Sequence, residues 1–211
     1  MRSSEAVDHL VLGARTLEEG VAWVRRTLGA ECAPGGRHAQ WGTHNALVSL
    51  GGCYLEVLAP DPAAGACPGA AVFGLEALED GPRLVTWMCR ATNVEQAASA
   101  ALRAGHDAGR VRAGSRLRTD GTELSWQLAV PPSRVDGGAV PWPIDWGWSE
   151  HPSRTAPRGG SLSWLEIEHP EPARIRAVLD AMQCEGVGVT RAARPGIVAG
   201  VACARGVVVV R

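Results

Sequence analysis

Lysine is absent from the 211-residue chain: its 21 basic residues are all arginine, against 22 acidic ones, for a formal charge of −1. No stretch gathers that positive charge into the stripe a nucleic-acid backbone requires. Arg110, Arg112, Arg116 and Arg118 do cluster, but Asp107 and Asp120 flank them, so a solvated edge strand accounts for them as well as a phosphate site does. No apolar run approaches the roughly 18 residues of a membrane-spanning helix, so no membrane partner is expected. Met1-Arg2-Ser3-Ser4-Glu5 enters a strand-like run with no leader, which points to the cytoplasm. No two of the six cysteines form CxxC and no His pair completes a zinc spacing, so buried free thiols are expected. There is no G-x-S-x-G, no P-loop and no G-x-G-x-x-G after a strand, which removes hydrolase-elbow, nucleotide and dinucleotide chemistry. Phe and Tyr occur once each, whereas Trp occurs eight times. The lysine-free, Ala-, Gly- and Arg-rich composition matches a GC-rich, bacterial coding sequence.

What the chain does contain is a repeat. HLVLGARTLEEGV (9–21), TWMCRATNVEQAA (86–98) and WLEIEHPEPARIR (164–176) align without gaps as strand, polar turn and helix start. Thr16 with Glu19 and Asn93 with Gln96 read as capping boxes, and Pro172 takes the first helical position of the third copy. Leu17, Val21, Val24 and Leu28 share one helical face before Gly29. Strand-like runs follow each helix: 30–38, 44–50 and 53–59, with Gly51-Gly52 as a hairpin turn; 111–118, 122–130 and 140–148, with Asp120-Gly121; and 187–193, 197–204 and 207–210, with Arg205-Gly206. The chain thus reads as three βαβββ units, at 1–60, 61–150 and 151–211, within one domain, with 60–71 and 149–160 as linkers. A meander after each helix indicates α+β, not a doubly wound parallel sheet. Paired units with curved mixed sheets close a cup. Which units pair is open at this level.

The motifs Asp8-His9, Gly36-Arg37-His38, Gly42-Thr43-His44-Asn45 and Tyr54-Leu55-Glu56-Val57 fall within 8–62, and Ile144-Asp145-Trp146-Gly147 and His151-Pro152 follow later. In these the chain resembles the glyoxalase-like branch of the vicinal oxygen chelate superfamily, which includes glyoxalase I, extradiol dioxygenases and bleomycin-resistance proteins. The resemblance runs to about residue 182. It implies the βαβββ cup and a divalent-metal site built from a His on the first strand and a Glu on the last strand of one unit, completed by the partner unit. Those positions are His9 and Glu56 here. Thr86 stands where the partner's first ligand belongs, and aligning YLEV with PIDW puts Asp145 at the second. Imidazole with carboxylate suits Zn, Ni, Fe, Mn or Co without choosing among them. Thr86 departs from the pattern, and the third unit offers Trp164 and valines instead, so a cup of units one and three would not complete the site. Against this stands a plainer reading: His9 hydrogen-bonded in a core, and Glu56 facing water.

His38 and His44 bracket a glycine-containing loop and are the candidate catalytic residues, with Arg37 and Asn45 as donors to a carboxylate or carbonyl. The same residues suit a polar hairpin that caps its own backbone. Trp41 is a candidate pocket wall. Trp142, Trp146 and Trp148 alternate and so share a face, as pocket wall, core or subunit interface. His151 either closes over a pocket mouth or lies in a surface loop. Cys53 and Cys89 sit among apolar residues as inert core.

Two functions are expected from these residues. One is a metal-dependent lyase or isomerase acting on a small oxygen-rich substrate, with the ion as Lewis acid and His44 or His38 orienting substrate or moving a proton. The other is a metal-free protein that sequesters an aromatic or hydrophobic small molecule, favoured by the missing fourth ligand and the tryptophans. A small molecule is the expected partner in both, and a homodimer is the candidate assembly.

Overall fold

The structure, a computed structural model, describes residues 5–117 and 121–211. Arg118 and Asp120, named above, lie outside the described residues. The first βαβββ run is β1 (Val7–Gly13), α1 (Leu17–Leu28), β2 (Ala33–His38), β3 (Thr43–Ser49) and β4 (Tyr54–Pro60). A short helix α2 (Gly69–Phe73) and a 3-10 turn (Leu75–Ala77) lead to β5 (Arg83–Arg90), α3 (Val94–Arg103), β6 (Arg110–Leu117), β7 (Glu123–Val130) and β8 (Trp142–Asp145). The third run is β9 (Ser161–His169), α4 (Pro172–Ala181), β10 (Gly188–Arg191), β11 (Gly196–Cys203) and β12 (Gly206–Val210).

Local chemistry sets the helix ends. Thr16 Oγ1 accepts from Glu19 N at 3.2 Å and Asn93 Oδ1 from Gln96 N at 2.8 Å, each satisfying one of the orphan donors of a first turn. The Glu19 carboxylate does not return to Thr16; it takes the Arg15 amide at 3.2 Å and the Arg15 guanidinium at 2.8 Å. Gly29 closes α1 at φ 69°, a conformation that favours glycine.

The pairing question has a definite answer. Runs one and two form a single eight-stranded sheet, β2-β3-β4-β1-β5-β8-β7-β6, joined where β1 and β5 run antiparallel. The third run makes its own four-stranded sheet, β10-β9-β11-β12. Alternation along the strands divides the core. Leu10, Leu12, Leu55 and Val57 point to the convex side, where α1 and α3 and the third run's Leu165, Ile167 and Ile175 complete one apolar core. Val11, Leu58, Val85 and Met88 point to the concave side, where they form a second one with Phe73 and Trp142.

Two stretches read as linkers contain structure. The 60–71 segment runs into α2, which delivers Phe73 to the concave core; the 149–160 segment holds a 3-10 turn, Pro152–Arg154, whose Ser153 carbonyl accepts from Ser49 Oγ at 2.7 Å. The strand expected over 140–148 stops at Asp145, because the Asp145 carboxylate accepts from Gly147 N at 2.9 Å and turns the chain. Trp142 and Trp146 both meet the concave core, the first buried in it and the second packed at its rim, whereas Trp148, beyond the turn, is fully exposed and does not share their face. All six cysteines are free, and burial pushes the Cys53 thiol up to about 12. Among the described residues no helix is long and apolar enough to cross a membrane.

Helix α1 rests on β4 through Gly20, where a Cβ would come within 2.3 Å of Val57 Cγ1 and 2.9 Å of Ala14 Cβ. Gly-to-Ala within a helix ordinarily gains about 1 kcal/mol. Here the contact reverses the sign: Gly20→Ala is expected to lower the unfolding free energy by about 1–3 kcal/mol, seen as a reduced urea midpoint at unchanged m-value.

Candidate functional site

The concave side is not filled to its end. Beside the second core lies a hollow of about 520 Å³ of atom-free space, mouth included. Its floor comes from the first half of the sheet: His9 on β1, His38 on β2, Asn45 on β3, and Tyr54 and Glu56 on β4. Its far wall comes from the second half, as Met88, Arg116, Trp126, Leu128 and Trp146, with Trp41 and Phe73 closing the side.

A β-bulge builds the floor. Val7 pairs with Cys89 and His9 with Met88, leaving Asp8 as an extra residue in β1. Val7 and Leu10 both face the convex core, so Asp8 and His9 fall together between them on the other side. The His9 imidazole then reaches Asp8 Oδ1 with Nδ1 at 2.7 Å and Glu56 Oε2 with Nε2 at 3.5 Å, stacked on Tyr54 at 4.4 Å between ring centres. Asn45 Nδ2 donates to Glu56 Oε1 at 2.5 Å, and His38 continues the line to Thr43 Oγ1 at 3.1 Å. Behind the floor, Asp8 accepts from Trp146 Nε1 at 3.2 Å and from His151 Nε2 at 3.0 Å. The His151 tautomer is set by Ser153 N, which donates to Nδ1 at 3.2 Å and so leaves the proton on Nε2.

These contacts decide the charges. Burial alone would push His9 toward neutrality; its hydrogen bonds to Asp8 and Glu56 overcome that and hold it up at about 9. Burial would raise Glu56, but the His9 partner, with Asn45 behind it, brings it down to about 2. Asp8, also buried, is held well below the ordinary carboxylate range by His151 and His9. His38 is pushed below its ordinary value by burial. At neutral pH the floor therefore reads Asp8⁻, His9⁺, Glu56⁻ in one line.

Several expected site residues are elsewhere. His44 shares strand parity with Ala46 and Val48, which face the convex core, so it lies on the wrong face of β3 for the catalytic role expected of it; Asn45 occupies the floor instead. Arg37 faces out and meets Asp61 at 3.4 Å. His151 is not at the mouth but holds Asp8. Asp145 lies in an outer groove with Trp148, apart from His9 and Glu56. The hydrogen-bond register differs from the motif alignment: Glu56 pairs with Val11 as Trp142 pairs with Met88, so the counterpart of Glu56 is Trp142 and not Asp145. The pairs His9↔Met88 and Val11↔Thr86 confirm Thr86 as the counterpart of His9, but Thr86 lines a separate small cavity. Asp8, Tyr54, Arg116 and Trp126 belong to the site or its support and were not singled out for it. Gly114 was the available signal for Trp126: a Cβ there would lie 2.5 Å from the indole across the β6–β7 pair, so the ring needs that glycine.

A divalent metal does not fit these residues. Both nitrogens of His9 are committed to carboxylates, the partner half contributes Thr86 and Trp142, and among the described residues no three His, Cys, Asp or Glu side chains gather closely enough to hold one ion.

Comparison with known sequences matches a family described as a glyoxalase-like domain over residues 7–182, which leaves β10–β12 beyond the match. No curated protein matches. Among solved structures, a hypothetical protein from Staphylococcus aureus superposes with a TM-score of 0.63 at 12% identity, over 90% of this chain and 87% of that one. Methylmalonyl-CoA epimerase from Mycobacterium tuberculosis gives 0.42 at 16% identity, over 68% of this chain and 89% of that one. A Streptomyces coelicolor epimerase variant in complex with 2-nitronate-propionyl-CoA gives 0.43 at 18%, over 68% and 96%. At these identities the likeness is one of fold.

The charge line has a pH signature. His9 binds its proton more tightly folded than unfolded, so its contribution to stability is full below about 6.5 and is lost as pH rises through about 9. Glu56 contributes fully above about 4.5 and loses that as pH falls through about 2. Denaturant titrations should show stability falling between pH 6.5 and 9, with His9 supplying at most about 1.4 kcal/mol per pH unit, and a flatter slope in His9→Gln. An NMR titration placing the His9 ring near its ordinary value would contradict the line.

Proposed function

We propose a function from one premise: the chain belongs to the glyoxalase-like domain family. Within that family it is a metal-free, cytoplasmic binding protein for a small, largely apolar or aromatic molecule that carries an oxygen function. The observation that supports this most directly is the composition of the far wall. Met88, Arg116, Trp126, Leu128 and Trp146 supply ring faces, apolar surface and one guanidinium, and no ligand-type carboxylate or imidazole.

Such a wall suits a planar or compact apolar body, with the rings of Trp41, Phe73, Trp126 and Trp146 as contact surfaces. The floor suits a hydroxyl or carbonyl, which meets Asn45, Tyr54 and Glu56. Side chains locked by Asp8, His9 and Glu56 need little further ordering when a ligand enters, which lowers the entropic cost of binding. The metal-dependent lyase or isomerase reading requires a ligand set these residues do not supply. Free thiols throughout suit a reducing compartment.

The decisive comparison uses protein purified without a histidine tag, alongside His9→Ala. Substoichiometric metal in both, and tryptophan quenching by small aromatic ligands that persists in chelator, is the expected result. Stoichiometric metal in the parent protein, lost in His9→Ala, overturns the proposal. Trp126→Ala should weaken the quenching ligand about tenfold, the loss of one ring contact.

A further inference from the structure

We propose that Phe73 is the specificity-determining residue of the cup: packed at a tilt against Trp142, it forms a septum that confines ligand to the first half of a hollow the sheet builds twice. This deepens the binding function above and rests on it. The pairing of β1 with β5 is the starting point. Shifting His9 and Val11 along the chain by the repeat spacing gives Thr86 and Met88, and the observed pairs His9↔Met88 and Val11↔Thr86 exchange under that shift. The two halves of the sheet are therefore related by a pseudo-twofold between β1 and β5, and each half offers the same concave positions.

The positions are used differently. In the first half, those of His9 and Glu56 face the main hollow. In the second half, Thr86 and Trp142 line a separate, tight space, about 250 Å³ of atom-free volume with its mouth included, together with Val72, His106 and Arg134. Phe73 walls the first space and Trp142 the second, and the rings touch at 4.9 Å between centres. Phe73 does not come from the sheet. It arrives on α2, the short helix between the two βαβββ runs, held in place where Gly69 N donates to Trp41 O at 2.9 Å and Trp41 packs edge-on against Phe73 at 5.9 Å. The second space is not finished as core. Thr86 Oγ1 and Arg134 Nε are buried without hydrogen-bond partners, two of the three such side-chain atoms among the described residues. Packed cores rarely leave buried donors unpaired, whereas a space that continues a binding cup supplies them a partner when a ligand's polar end reaches it. Removing the Phe73 ring joins the two spaces and gives a longer ligand both a path and a polar terminus at Thr86 and Arg134.

The test is a series of ω-phenylalkanols from 2-phenylethanol to 8-phenyloctanol, titrated by tryptophan fluorescence and calorimetry. The parent protein should prefer a short member. Phe73→Ala should shift the optimum to longer chains, each added methylene gaining about fourfold in affinity until the second space is filled. Phe73→Leu, which keeps the concave core apolar, should shift it in the same direction by less, and so guards against a folding defect in the alanine variant. Binding to all proteins with an unchanged optimum overturns the septum and leaves the binding function standing. Binding of no member to any of them overturns both.

Discussion

A single irregularity in the central strand underlies the site. The extra residue Asp8 in β1 puts two neighbouring side chains on one side of the sheet, and only for that reason can a buried carboxylate hold the inner nitrogen of a buried imidazole. Asp8, His9 and Glu56 are all almost wholly inaccessible, and stripping charges of water costs several kcal/mol each unless partners replace it. The partners come from separate elements: Asn45 from β3, Trp146 from the turn after β8, His151 from the segment before β9, and Arg90 from β5 at 3.7 Å from Asp8. Any displacement of one element leaves a charge short of a partner. The floor is therefore stiff, and a stiff polar floor under a soft aromatic wall is suited to binding by selection of shape rather than by rearrangement.

The duplicated sheet explains why the two walls differ so much. A pseudo-twofold gives both halves the same backbone, but a hollow needs apolar surface as well as polar groups, and one half of this cup has been given to each. Where the first half carries imidazole and carboxylate, the second carries threonine and indole. The third run takes no part in the hollow. It packs Leu165, Ile167 and Ile175 against the convex core, so the side of the sheet opposite the floor is dry and the strand alternation that orients His9 is reinforced from behind.

This also accounts for what could be read from the chain and what could not. The repeats, the helix caps at Thr16 and Asn93 and the Gly51-Gly52 hairpin are local patterns, and local patterns survive in a sequence. The family resemblance points to His9 and Glu56, the glycine-containing loop to His38, Asn45 and Trp41, and strand alternation to Trp146; all six lie at the hollow. The failures are failures of parity and register. Choosing Asn45 over His44 requires knowing which face of β3 is concave, a property of the whole sheet. Choosing Trp142 over Asp145 requires the β5–β8 pairing, and that pairing is non-local. The role of Asp8 was the least legible, since regular alternation assigns neighbours to opposite faces and nothing in VDHLVLG announces a bulge. Phe73 was hidden for a different reason: Pro-, Gly- and Ala-rich sequence reads as linker whether or not one of its side chains plugs a core.

The proton on His9 is best understood by asking what else could sit there. Glu56 lies buried beneath an apolar hollow and must be neutralised in place. A divalent ion would do so if the second half of the sheet offered two more donors, but Thr86 and Trp142 do not. Protonation of His9 achieves the same neutralisation with one hydrogen, provided that a second carboxylate stabilises the resulting imidazolium from the far side. Asp8 is that carboxylate, and the bulge is what brings it there. On the metal-free reading, the bulge, the raised His9 and the aromatic second half fit together: with Thr86 and Trp142 opposite, the ionic partner of Glu56 is His9 of its own half, and Asp8 holds that imidazolium in place.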